Sequence, residues 1–158
     1  MPAHSNYRVQ EAVSAGGVVH RPGSIGLEVL LLETANGIWG LPKGTPDAGE
    51  TMVETARREV CEETGLQVVV EDKIGTIEYW FARAEEQTRY HKHVHFWLMR
   101  PVGGDLSLHD DEHISVEWVH LAEALRRVTH ATSAETLQRA ADLLSERAAS
   151  PESRSRRP

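Results

Sequence analysis

One segment, residues 44–66, constrains the fold of this chain more than any other. It holds six acidic residues and two arginines. At about 100° per residue, Glu59, Glu62 and Glu63 share one face of a helix, and an apolar stripe runs along the edge of that face. Like charges three and four residues apart repel each other and destabilise an isolated helix. Such a helix therefore needs an apolar surface for its stripe and a cation for its carboxylates.

Local signals set the limits of this helix, which we predict over residues 52–64. Thr51 or Gly49 stands near its start, and Gly65 follows its end as a C-terminal stop. The side chains expected to be buried are Val53, Ala56, Val60 and Thr64. The preceding residues 35–49 are rich in glycine and proline and predict a long loop, which within a compact domain is usually functional or disordered.

The rest of the chain alternates between strand and helix patterns. Strands are predicted at 13–20, 27–32, 67–70, 73–81, 90–99 and 114–119, and further helices at 121–128 and 133–147. Residues 73–99 have the pattern of a hairpin. This order predicts an α+β fold in which helices cover both faces of a sheet.

Composition narrows the classes of protein to which the chain can belong. Its 158 residues suit one domain, expected over 9–148, and the basic segment 150–158 is predicted to be a disordered tail. The single cysteine, Cys61, excludes an intrachain disulfide and a cysteine-cluster zinc site. No apolar run is long enough for a membrane span, so we expect a cytoplasmic protein without a membrane partner. The net charge of −7 argues against nonspecific binding to nucleic acids.

Three clustered carboxylates on one helix are typical of a site for a hard cation. Oxygen ligands at this density suit Mg²⁺, with Mn²⁺ as a substitute, and such sites usually complete their ligand shell with water and substrate phosphates. The reaction indicated is metal-assisted attack of water on a phosphoanhydride.

The residues of this segment resemble a known family motif at every fixed position. The matching residues are Gly44, Glu50, Arg58, Glu59, Val60, Glu62, Glu63, Gly65 and Leu66. They fit the Nudix box, Gly-x5-Glu-x7-Arg-Glu-U-x-Glu-Glu-x-Gly-U, in which U is a bulky aliphatic residue. The resemblance to the MutT/Nudix family implies an α/β/α sandwich with a mixed central sheet. It also implies cleavage of a nucleoside diphosphate linked to another group.

The same resemblance implies roles for individual residues of the box. Glu59, Glu62 and Glu63 would be catalytic metal ligands, and the backbone carbonyl of Gly44 or Lys43 would add a ligand. Glu50 would pair with Arg58, and Arg58 would orient the helix carboxylates. A degenerate Nudix domain that senses nucleotides without turnover is the alternative from a different class.

A second acidic segment, 105–117, holds five acids and no base. Members of the family often recruit one more carboxylate shortly before a late strand that ends in tryptophan. Glu112 stands six residues before Trp118 and is therefore the expected extra metal ligand or base, with Asp110 and Asp111 as alternatives.

The residues that would contact the substrate lie outside the box. The run Trp39-Gly40-Leu41-Pro42-Lys43-Gly44 resembles the motif that precedes the box in diadenosine polyphosphate hydrolases, and it makes Lys43 and Trp39 candidate substrate contacts. Tyr90, Lys92 and His93 add aromatic and cationic groups that could stack on a base or contact phosphate.

Strand alternation limits which of these groups can act together. It places His91, His93 and His95 on one face and Tyr90 and Lys92 on the other. The three histidines also allow a zinc site, although a strand spreads them over about 13 Å. Ordinary half-buried surface histidines are the third interpretation.

The sequence therefore predicts a Mg²⁺-dependent pyrophosphohydrolase that acts on nucleotides. The favoured substrate is a dinucleoside polyphosphate such as diadenosine tetra- or hexaphosphate. The alternatives are an oxidised nucleoside triphosphate or an RNA 5′ end, which is the one nucleic-acid partner considered. The expected partner is thus a small nucleotide polyphosphate, and the sequence leaves monomer and homodimer equally open.

Overall fold

The computed structural model describes residues 6–149, so the predicted tail at 150–158 lies outside the described residues. Seven strands and three helices are found within this range. The strands are β1 (Arg8–Gly23), β2 (Gly26–Thr34), β3 (Trp39–Gly40), β4 (Lys43–Gly44), β5 (Leu66–Arg83), β6 (Thr88–Gly104) and β7 (His113–His120). The helices are α1 (Met52–Thr64), α2 (Leu121–Arg127) and α3 (Ala131–Ala149). No helix in this part of the chain is long and apolar enough to cross a bilayer.

The strands form one mixed sheet around the long central strand β1. Their order is β3-β2-β1-β6-β5, with β4 paired to β1 and β7 paired to β2. β1 runs parallel to β6, from Arg8 opposite Thr88 to Val19 opposite Met99. The other pairings are antiparallel, including the hairpin of β5 and β6 that the sequence predicted.

Helices cover both faces of this sheet, and each face has its own apolar core. Val18, Val94 and Leu98 belong to the core that also takes in Ala124 and Leu137 of the two C-terminal helices. On the opposite face the buried side chains are Ala15, Val19, Leu30, Ala56, Val60, Leu66, Val68 and Met99. Ala56 and Val60 come from α1, so the α/β/α sandwich is confirmed.

The predicted limits of α1 are confirmed. Thr51 is the N-cap, and its side chain accepts from the backbone N–H of Glu54 while the Glu54 carboxylate accepts from the backbone N–H of Thr51. Gly65 ends the helix in the left-handed conformation, at φ 78°. The prediction that Val53 belongs to the buried stripe is wrong, because this residue is 37% exposed near the N-terminal end of the helix.

Two regions are more ordered than the sequence predicted. The strands expected at 67–70 and 73–81 are one continuous strand, because irregularities in register at Val70/Asp72 and Lys73/Gly75 absorb the polar residues that suggested a break. The predicted loop contains β3 and β4, and β4 pairs with β1 beside Gly16. A side chain at Gly16 would overlap the carbonyl of Pro42, so glycine there lets the loop lie close against the central strand.

Candidate active site

Arg58 is the centre of the hydrogen-bond network that holds the acidic face of α1. Its guanidinium binds both oxygens of Glu50, at 2.7 and 3.0 Å, and donates to the carbonyl of Thr45 over 3.0 Å. It also lies 2.9 Å from an oxygen of Glu59 and 3.2 Å from an oxygen of Glu62. One planar cation therefore fixes the loop before α1 and two carboxylates of the helix.

The pKa values of these groups follow from the network. The hydrogen bonds from Arg58, followed by one from the backbone N–H of Asp47, lower the pKa of Glu50 to about 2. The same carboxylates raise the pKa of Arg58. The pair from Glu50 to Arg58 is therefore fully ionised at neutral pH and serves as a fixed support for the site.

Glu59 is pressed against the backbone of Gly44. A Cβ at position 44 would overlap all three atoms of the Glu59 carboxyl group, so any larger residue would displace it. Burial raises the pKa of Glu59, and the charges of Glu62 and Glu112 raise it further, against the opposing effect of Arg58. Glycine at this position thus sets where the Glu59 carboxylate lies.

Glu63 is the buried acid of the site, with 7% of its surface exposed. Its Oε2 accepts a hydrogen bond from the backbone N–H of Lys43 over 2.7 Å. Burial raises the pKa of Glu63 to about 8, and the charges of Glu59 and Asp110 contribute in the same direction. The hydrogen bond from Lys43 only partly offsets these effects.

The second acidic segment, residues 105–117, lies beside the acids of α1. Asp110 and His113 each offer a ligand atom within 4.8 Å of one on Glu63, and Nδ1 of His113 lies 2.8 Å from Oδ1 of Asp110. Glu112 is exposed, and its charge acts on Glu59. The segment therefore brings Asp110 and Glu112 to different acids of α1.

The donor set fits a hard divalent cation. Arg58 forms ion pairs with Glu50, Glu59 and Glu62, so one positive charge offsets several carboxylates, and burial is the main cause of the raised pKa of Glu63. A divalent cation would supply the missing charge. The predicted ligand set of Glu59, Glu62 and Glu63 with Glu112 and the Gly44 carbonyl remains a proposal.

A cleft leads from the acids to an aromatic wall on the α3 side of the sheet. Its first cavity, about 200 Å³, reaches from Glu63 and His113 to Lys43. The adjoining cavity, about 380 Å³, is lined by Lys43, Tyr79 and Phe96 and by residues 130–133 at the start of α3. The cleft therefore carries charged groups at the end near Glu63 and is more apolar at the end near Tyr79 and Phe96.

Lys43, Lys92 and Tyr90 lie on the face of this cleft. The pKa of Lys92 is lowered by burial and then by the charge of Lys43, so the two cations are close enough to act on one polyanion. Lys92 pairs across the hairpin with Tyr79, and Tyr90 with Phe81. Tyr90 stacks on Phe81 with ring centroids 5.0 Å apart, and its hydroxyl donates to Glu86.

Two other predicted contacts are placed differently. Trp39 packs against the core, its ring lies under the guanidinium of Arg127 at 4.9 Å, and its backbone pairs with Thr129. His93 hydrogen-bonds to Glu11 on the opposite face of the sheet from Lys92. Lys92 and Tyr90 thus lie on the sheet face that carries the cleft, and His93 lies on the other face.

Sequence reasoning missed several residues of the cleft. His113 has a local signal, since it follows Asp110 by three residues at the start of a strand. Phe96 and His130 carry none, because the cavity they share arises only when α3 packs against β5 and β6. These residues line the parts of the cleft that tertiary packing creates.

Comparison with known proteins identifies the family of this chain. A family profile described as the NUDIX domain matches residues 11–140. MutT4 of Mycobacterium tuberculosis, which carries the name of a mutator protein, is 46% identical over 94 residues, or 60% of this chain and 37% of that protein. The chain thus spans well under half the length of MutT4.

The chain covers a larger share of a relative from rat. The asymmetrical bis(5′-nucleosyl)-tetraphosphatase of Rattus norvegicus is 34% identical over 119 residues, 71% of this chain and 77% of that protein. The solved structure of a C. elegans Ap4A hydrolase binary complex superposes with a TM-score of 0.68, at 24% identity, over 85% of this chain and 98% of that one. That likeness shows the shared fold. This chain belongs to the Nudix family.

Proposed function

We propose that the protein hydrolyses a phosphoanhydride bond of a dinucleoside polyphosphate, such as diadenosine tetra- or hexaphosphate, with Mg²⁺ or Mn²⁺ as cofactor. The observation that carries this proposal is the cleft that joins buried Glu63, through Lys43, to Tyr79 and Phe96. The similarity to the rat tetraphosphatase and the Trp39–Gly44 motif support the same substrate class.

The two ends of the cleft would hold different parts of this substrate. The phosphate chain would lie at the acidic end, where Lys43 and Lys92 offset its charge. One base would occupy the cavity beside Tyr79 and Phe96, and the second would lie further along the same sheet face on Tyr90.

The acids of α1 and the following segment would perform the chemistry. Glu59, Glu62, Glu63 and Glu112 would hold the cation, which when bound offsets negative charge on the phosphate oxygens and lowers the pKa of water. Arg58 keeps two of these carboxylates in place through its bonds to Glu50. Water adds to phosphorus, the phosphoanhydride P–O bond breaks, and a proton passes to solvent. The products are two nucleotides.

The second candidate is hydrolysis of a nucleoside triphosphate, oxidised or not, or of an RNA 5′ end. One observation favours it. Among the described residues, the aromatic-walled cavity beside the acids has a volume of about 380 Å³, which suits one nucleoside. A mononucleotide would therefore fill the enclosed part of the cleft without using Tyr90.

A substrate panel tests the proposal. Purified protein is incubated with Mg²⁺ and with diadenosine tetraphosphate, diadenosine hexaphosphate, 8-oxo-dGTP, ADP-ribose or triphosphorylated RNA, and kcat/KM is compared. We expect the highest values for the diadenosine compounds, loss of activity on chelation, and recovery with Mg²⁺ or Mn²⁺. Faster turnover of a triphosphate would favour the second candidate. Nucleotide binding without any turnover would identify a sensor instead.

The panel needs a control for contaminating hydrolases. Glu63→Gln keeps the shape of the buried side chain and removes its charge, so its product formation measures the background. If parent and variant hydrolyse the panel at equal rates, the activity does not come from this site.

A further inference from the structure

A second cluster of ligating side chains lies on the sheet face that carries α1. Glu11 of β1 stands directly opposite His91 of β6, and Glu78 of β5 stands opposite His93 of β6. Three adjacent hydrogen-bonded strands therefore hold two imidazoles between two carboxylates. Backbone pairing fixes their spacing, so the cluster does not depend on a flexible loop.

Glu11 bridges the two histidines. Its Oε1 lies 3.1 Å from Nδ1 of His91, and its Oε2 lies 3.0 Å from Nε2 of His93. One ligand atom from each of the three residues lies within 4.8 Å of the others. Donor atoms around tetrahedral Zn²⁺ are about 3.4 Å apart, so small side-chain rotations are enough to close the set around one ion.

Glu78 supplies the support that metal-binding histidines normally require. Its Oε2 lies 3.0 Å from Nε2 of His91 and 3.7 Å from Nδ1 of His93, which are the nitrogens that face away from Glu11. A carboxylate on the second ring nitrogen fixes the tautomer and strengthens the first nitrogen as a ligand. The indole of Trp80 also stacks on His91, with ring centroids 4.4 Å apart.

We propose that Glu11, His91 and His93 bind a Zn²⁺ ion and that Glu78 orients both imidazoles from the outer side. Two nitrogen donors and one oxygen donor suit Zn²⁺ and disfavour Mg²⁺, which prefers oxygen ligands alone. Three protein ligands leave a fourth position for water or another group.

This site is separate from the acids of α1. Glu11 lies four residues from Ala15 along β1, or about 13 Å, and Ala15 is the residue that pairs with Gly44. The two sites also differ in chemistry, since the acids of α1 have one nearby imidazole, that of His113, and the second cluster has two imidazoles and one carboxylate ligand. The zinc site that the sequence allowed contained His95, but His95 binds Thr76 over 3.0 Å, and Glu11 takes its place.

Zinc titration by calorimetry tests the proposal. Zn²⁺ alone is added to the full chain in excess Mg²⁺, which competes for the acids of α1, and His113→Ala identifies any Zn²⁺ held by Glu63, Asp110 and His113 instead. We expect one Zn²⁺ per chain in the parent and binding at least ~10-fold weaker in His91→Ala and Glu11→Gln. Glu78→Gln should weaken binding by ~10-fold without removing a ligand. Co²⁺ in place of Zn²⁺ should give visible absorption bands of a tetrahedral site, absent in His91→Ala.

His95→Ala is the matched control, because it removes a histidine from the same strand and the same face but from outside the cluster. It should bind Zn²⁺ like the parent. Glu11→Gln preserves the size of an exposed side chain, and circular dichroism verifies that each variant is folded. Two results would overturn the proposal: a parent that binds no Zn²⁺ once Mg²⁺ is in excess, or cluster variants that bind it as the parent does.

Discussion

The backbone nitrogen of Lys43 lies 2.7 Å from Oε2 of Glu63, and this hydrogen bond joins the substrate-side loop to the buried acid of α1. The side chain of Lys43 lines the cleft while its backbone holds the acid. A residue predicted to contact phosphate therefore also positions a residue predicted to bind metal.

We expect metal binding to release a proton below pH 8. Glu63 has a raised pKa of about 8, so in this pH range it carries a proton that a cation must displace. Calorimetry of Mg²⁺ binding in two buffers of different ionisation enthalpy measures the release. We expect close to one proton per chain well below pH 8 and little above it. Equal heats in both buffers below pH 8 would contradict this.

The same shift predicts how stability depends on pH without metal. Between the ordinary pKa of 4.5 and the raised value of about 8, the folded protein holds a proton that the unfolded chain has lost. The free energy of unfolding therefore falls as pH rises through this window. Urea unfolding across the window should show a smaller fall for Glu63→Gln, and a fall of the same size would assign the effect elsewhere.

The lowered pKa of Glu50 predicts that stability depends on pH in the opposite direction in acid. Its pKa of about 2 lies below the ordinary 4.5, so its bonds to Arg58 stabilise the fold fully above pH 4.5 and are lost as pH falls towards 2. Glu50→Gln should remove part of this acid sensitivity in urea unfolding. Glu85→Gln, at an exposed glutamate, is the control and should unfold in acid like the parent.

Gly44→Ala should lower turnover while the protein stays folded. The added Cβ would overlap the Glu59 carboxyl and push it from its position, and a displacement of this kind can reduce rates by ~100-fold. Gly40→Ala is the matched control in the same loop, because a Cβ there meets no atom within 4 Å. Steady-state kinetics should show normal kcat for Gly40→Ala, and equal losses in both variants would indicate a general loop defect.

Tyr90→Ala should distinguish the two substrate classes. If Tyr90 stacks on the second base, its removal raises KM for diadenosine tetraphosphate by about 5- to 100-fold and leaves KM for a nucleoside triphosphate unchanged. Trp80→Ala is the control, since Trp80 is an aromatic residue of the same hairpin but stacks on His91 on the opposite face of the sheet from Tyr90. A Tyr90→Ala variant with unchanged KM for both compounds would remove Tyr90 from the substrate site.

Glu112→Gln should lower kcat by about 100-fold or more, because its carboxylate acts on Glu59 from outside α1. Asp110→Asn and Asp111→Asn, measured beside it, identify which acid of the segment supplies the extra ligand. Activity of Glu112→Gln within about twofold of the parent, together with a large loss in Asp110→Asn, would contradict this prediction. The extra ligand would then be Asp110, which pairs with His113.

The helix and its acids could be predicted because their signals are local. Thr51, Glu54 and Gly65 determine both ends of α1 through bonds made within a few residues. The resemblance to the Nudix box implied that Arg58 pairs with Glu50 and orients the helix carboxylates, and the hydrogen bonds of Arg58 reach from Glu50 to Glu62. The exposure of Val53 was not predictable from periodicity, because periodicity does not show where the neighbouring layer ends.

Contacts between distant segments left no such signal. Glu11 meets His91 only because β1 and β6 pair in parallel, 80 residues apart, and nothing in either strand specifies that register. The cavity beside Phe96 likewise requires α3 to cross the hairpin. Sequence reasoning therefore predicted the helix and its limits well, and the cleft and the histidine cluster only in part.

The parallel pairing of β1 and β6 has a consequence for how the protein is made. The central strand of the sheet, which begins at Arg8, finds its longest partner only after residues 88–104 have left the ribosome. Until then the apolar edge of β1 remains available to other chains, and pairing between such distant segments is slow. The nascent chain should thus depend on chaperones most between synthesis of α1 and completion of β6, before either face of the sheet can close.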